Sequence, residues 1–116
     1  MERIEKQIQF ILEIDKEKQI KRKTLQSNGK DFEDDAQHAW HMAIMTLLLS
    51  EYSNEKIDVL KTISMLLIHD LVEIDAGDTY AYDDQGLKVQ NERENLAANR
   101  IFNLLPEDQA KKVFDL

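Results

Sequence analysis

Between Met1 and Ile20, apolar Ile4, Ile8, Ile11, Leu12 and Ile14 recur at helical spacing with charged residues between them, which predicts an amphipathic helix. Ser27-Asn28-Gly29-Lys30 reads as a turn. Asp34 or Asp35 is placed to cap a second helix, whose apolar positions are Trp40, Ile44, Met45, Leu47, Leu48 and Tyr52. Ser53-Asn54-Glu55 marks the next break. From about Ile57 to Glu73 the residues Ile57, Leu60, Ile63, Met65, Leu66, Leu67 and Ile68 leave almost no polar face, which predicts a central helix surrounded by others. Residues 75–87 hold two glycines and four aspartates and predict a loop. Helical character returns from Lys88 to Leu105 through Leu96, Ala97, Ile101, Phe102 and Leu105, and Pro106 with Glu107 and Asp108 opens a short final helix. No segment sustains the alternation of a strand, so the expectation is an all-α bundle of about five helices with essentially no sheet.

Composition narrows this further. A chain of 116 residues with 42% hydrophobic content supports one core, so residues 1–116 are expected to form a single domain. Fifteen basic against 23 acidic residues give a net charge of −8, which argues against a nucleic-acid polymer or an anionic membrane as partner. There is no cysteine, so any metal site is built from His, Asp and Glu. The opening residues contain no uninterrupted apolar run, so neither a signal peptide nor a spanning helix is expected, and the default compartment is the cytoplasm.

Chemistry concentrates in IHDLVEIDAGD, residues 68–78, where one histidine and four carboxylates follow an apolar helix. Acids this close need solvent, hydrogen-bond donors or a cation. Acids at a helix C-terminus also oppose the macrodipole, so simple helix-end solvation explains Glu73, Asp75 and Asp78 poorly, whereas turn capping accounts well for Asp83 and Asp84. His38 and His41 lie on the second helix, and antiparallel packing of the third would bring His38 against His69-Asp70. His41 taken alone reads as a partly buried or solvated side chain and not as a ligand. On a continuous helix His69 and Glu73 share a face, with Asp70 turned roughly 100° away. Mixed imidazole and carboxylate donors suit Mn²⁺, Fe²⁺, Co²⁺ or Zn²⁺. Neither the spacing of a calcium-binding loop nor the His-Glu-x-x-His of zinc proteases is present.

From about Arg22 to Gln109, through HAWHMAIMTLLLSEY, IDVLKTISMLLIHDLVEIDAGDTYAYD and ERENLAANRIFNLLPEDQ, the chain resembles the HD-domain metal-dependent phosphohydrolases, and among them the 5′-deoxynucleotidase branch. The resemblance implies that His38, His69 and Asp70 are metal ligands, that Glu73 and Asp78 assist the attacking water and the leaving group, and that Arg22 contacts the phosphate. The implied reaction is hydrolysis of nucleoside 5′-monophosphates by metal-activated water. Two departures stand out. Gln37 occupies a position where relatives carry Glu, which is expected to alter a hydrogen bond to His38. The family's fourth ligand, an Asp on a later helix, is not matched by Asp115, so the domain is expected to be a C-terminally short HD bundle lacking the family's last helices. The apolar groove thereby exposed is expected to be covered by a second copy in a homodimer. The alternative reading is a non-catalytic dimerisation or nucleotide-sensing module with a vestigial metal site.

Overall fold

The computed structural model describes residues 1–77 and 84–116. Helix α1 (Arg3–Ile14) runs into a 3₁₀ turn (Asp15–Gln19), and the strands β1 (Lys21–Leu25) and β2 (Phe32–Asp34) follow. Helix α2 (Asp35–Leu49) ends in a second 3₁₀ turn at Ser50–Tyr52. Helix α3 (Val59–His69) passes through a third such turn (Asp70–Val72) into the short α4 (Glu73–Ala76), and α5 (Asp84–Phe102) and α6 (Glu107–Phe114) complete the order. The all-α class holds.

The hairpin corrects the expectation of no sheet. Its strands pair antiparallel, with Lys21 opposite Asp34 and Leu25 opposite Phe32 and an irregularity between. Strands this short, interrupted by a bulge, carry no readable alternation. The turn between them does carry a signal: Asn28 Oδ1 accepts from Lys30 N at 2.9 Å and Asp31 N at 3.3 Å. Gly29 supplies the left-handed backbone at φ +71°.

Caps fix the helix starts. Asp34 is the N-cap of α2: its carboxylate accepts from Gln37 N at 2.8 Å, while Gln37 Oε1 accepts from Asp34 N at 3.0 Å, a reciprocal capping box. Asp58 caps α3 by accepting from Lys61 N at 3.0 Å.

The core lies at one end of the molecule. Phe10 of α1, Leu71 of the third 3₁₀ turn, and Ala97, Ile101 and Phe102 of α5 are buried together, with Ile14, Ile68, Val72 and Leu105 packed around them. Phe114 of α6 meets Phe102 edge to face, with centroids 5.3 Å apart. Arg100 binds Asp75, with Nη2 to Oδ1 at 2.9 Å, and also Glu13, so one guanidinium joins α5 to α4 and α1.

The expectation of a surrounded third helix is not met. Helix α3 packs on α2, yet none of its residues is fully buried, and Leu60 is 77% exposed. The apolar positions Trp40, Ile44, Leu47 and Leu48 of α2 are exposed as well. A helix that is apolar all round requires neighbours on every side, and the described elements supply them on only some. The accessible surface is 8562 Å², against about 6,600 Å² for a compact monomer of this mass. No helix among the described residues is long and apolar enough to cross a membrane.

Candidate metal centre

Three elements converge on one cavity. The hairpin carries Arg22 on β1 and Glu33 on β2, the first turn of α2 carries Asp35 and His38, and α3 ends at His69 just before Asp70. Packing of α2 on α3 encloses about 290 Å³ lined by Arg22, His38, Ala39, Met42, Leu66, His69 and Asp70. Four of the residues singled out in the sequence therefore meet: Arg22, His38, His69 and Asp70.

Electrostatics organise the cavity around Arg22. Its Nη1 lies 3.8 Å from Asp70 Oδ2 and 3.9 Å from Asp35 Oδ1, and its Nε lies 3.8 Å from Glu33 Oε1. These are ion pairs beyond hydrogen-bond reach. Glu33 Oε1 does lie within reach of His38 Nδ1, at 2.9 Å, and His69 Nδ1 lies 3.0 Å from Asp70 Oδ1. The side chains of Asp35, Asp70 and Glu73 bring one oxygen each within 4.8 Å of one another, and Asp35 is fully buried. Among the described residues this is the group of three that gathers so closely; His38 and His69 share the cavity with Asp70 but not that tighter cluster.

Glu17 lies next to the acids and is buried, with Oε1 lacking a hydrogen-bond partner. Burial, reinforced by the charges of Asp35, Asp70 and Asp34, raises its pKa to about 7.

The residues present fit a divalent cation. Imidazole and carboxylate donors share the cavity, and the acids around the single guanidinium leave negative charge for a cation to offset.

Two expectations change. His69 and Glu73 do not present one face: the His69 side chain is 82% exposed while Glu73 joins the acid cluster, because the α-helix gives way to a 3₁₀ turn between them. The side chain of Gln37 closes the capping box, and Glu33 is the residue that bonds His38. Sequence reasoning missed Glu33, the role of Asp35 and Glu17. Only Glu17 left a local signal, since it follows Phe10 and Ile14 at the spacing of a buried helical stripe. Asp78 lies outside the described residues. His41 is exposed beside Trp40, outside the cavity's lining.

Fold and site together define an all-α domain with a nitrogen and oxygen ligand pocket between two helices. Residues 14–116 match the HD domain family model, and the chain belongs to that family. It is similar in structure to a predicted metal-dependent phosphohydrolase from Magnetospirillum magnetotacticum, with TM-score 0.85 and 49% identity over 96% of this chain and 56% of that one. In sequence it is similar to the 5′-deoxynucleotidase HDDC2 of Dictyostelium discoideum, 30% identical in an alignment 115 residues long that covers 94% of this chain and 60% of the relative. The human 5′-deoxynucleotidase HDDC2 is 28% identical over 79 residues, 68% of this chain and 37% of that protein. The chain thus spans between 37% and 60% of the length of these curated relatives.

Proposed function

We propose that the chain is a cytoplasmic metal-dependent phosphohydrolase of the 5′-deoxynucleotidase type, with residues 1–116 acting as one unit and nucleoside 5′-monophosphates as substrates. The observation that carries this reading is the shared cavity of Arg22, His38, His69 and Asp70. In this reading His38, His69 and Asp70 hold a divalent ion of the Mn²⁺, Fe²⁺, Co²⁺ or Zn²⁺ type. When bound, such an ion supplies Lewis acidity toward a phosphoryl oxygen and makes a water molecule more acidic. Arg22 binds the phosphate: its carboxylate partners sit at 3.8–3.9 Å, so phosphate oxygens can take its N–H groups without breaking a closed hydrogen bond. Glu73, set against Asp35 and Asp70, accepts the proton of the attacking water. The proton taken by Glu73 is returned to the nucleoside 5′-oxygen as its bond to phosphorus breaks, a departure that Asp78 assists.

A second copy of the chain as partner is supported by the exposed apolar side of α2 and α3 and by a surface roughly 30% larger than a compact monomer requires.

Phosphate release from a panel of deoxynucleoside 5′-monophosphates with added Mn²⁺ or Co²⁺ tests the activity. The expected result is metal-dependent release that falls at least about 100-fold in His69→Ala and Asp70→Ala. No release from any substrate with any of the four metals contradicts the proposal.

A further inference from the structure

We infer that Glu33 is the positioning residue that couples the metal half of this site to its phosphate half, acting on His38 and Arg22 through one carboxylate oxygen; this rests on the phosphohydrolase reading above. Glu33 Oε1 lies 2.9 Å from His38 Nδ1 and 3.8 Å from Arg22 Nε. Its side chain is only 15% exposed, and Arg22 Nε is buried without a hydrogen-bond partner.

The backbone at Glu33 is held on both sides. It lies between Phe32 and Asp34, which pair with Leu25 and Lys21 across the hairpin. A charged acceptor on such a rigid mount selects the imidazole tautomer. His38 donates its Nδ1 proton to Glu33, which leaves Nε2 as the lone-pair nitrogen able to ligate a cation. The same oxygen attracts Arg22, and an approach of about 0.9 Å would close a charge-assisted bond. Loss of the Glu33 carboxylate therefore weakens cation binding and phosphate binding together, whereas loss of a purely structural hairpin residue changes stability alone.

Two measurements test this. In the wild-type protein without added metal, the ring nitrogens of His38 observed by NMR should report the tautomer protonated at Nδ1; a ring protonated at Nε2 instead overturns the inference without any mutation. Equilibrium dialysis with Mn²⁺ then compares wild type, Glu33→Ala, Glu33→Gln and Gln37→Ala. Glu33→Ala should weaken Mn²⁺ binding by roughly 10- to 100-fold and raise KM for a deoxynucleoside 5′-monophosphate. Glu33→Gln, whose amide oxygen still accepts from Nδ1, should lose only a few-fold in Mn²⁺ affinity, and Gln37→Ala should lower stability with Mn²⁺ affinity unchanged. Wild-type affinity and KM in a folded Glu33→Ala protein would overturn the inference and leave the phosphohydrolase reading intact. Failure of wild type itself to bind Mn²⁺ would remove both.

Discussion

The two ends of this molecule are built on different terms. Around α5, Phe10, Leu71, Ala97, Ile101 and Phe102 form a closed core, and the surrounding helices bury their apolar stripes against it. Around α2 and α3 the fully buried apolar side chains are Ala39 and Ala43 alone among the described residues, while leucines, isoleucine and tryptophan face outward. The candidate site lies at the junction: Asp70 and Leu71 are neighbours in one 3₁₀ turn, one facing the cavity and the other the core. Stability is thus expected to reside in the first region, while the cavity and the exposed apolar surface belong to the second.

The largest effect should come from the core. Ile101 is fully buried, so Ile101→Ala should cost about 3–4 kcal/mol in chemical denaturation. Leu48→Ala on the exposed side of α2 should cost less than about 0.5 kcal/mol and act instead on self-association, read by sedimentation. Equal costs at the two positions would break the contrast between the two ends.

Glu17 sharpens it at the junction. Its pKa is raised to about 7 in the folded chain, so the fold favours the protonated acid. That contribution is complete below the ordinary glutamate value and disappears as pH rises through 7. Unfolding free energy should therefore decline between about pH 5 and pH 8 by on the order of 2 kcal/mol. Glu17→Gln should flatten that slope. A wild-type stability that rises over this range would contradict the assignment.

A smaller effect belongs to Asp34. Asp34→Ala removes the capping box of α2 and should cost about 1 kcal/mol, measured by thermal or chemical unfolding.

How much of this could be read from sequence follows from which contacts are local. The caps at Asp34 and Asp58, the turn at Asn28-Gly29 and the helix start after Pro106 involve near neighbours, and each left a recognisable residue type in place. His69-Asp70 was legible for the same reason, and His38 became so once two adjacent helices were assumed to pack antiparallel. Glu33 and Asp35 were not, because their meeting with Arg22 depends on a hairpin with no periodic signature. The break after His69 was hidden by a continuous apolar pattern, since Leu71 serves the core as well in a 3₁₀ turn as in an α-helix. The apolar surround of α3 was read as burial, but hydrophobicity records the need for a neighbour and not its presence.

The most direct test of the account is elemental analysis of the gently purified protein, repeated after reloading with Mn²⁺ and compared with Asp70→Ala. About one divalent ion per wild-type chain is expected, and none in a variant that keeps its helical content. A folded wild-type protein that carries no metal and takes up no Mn²⁺ would contradict it.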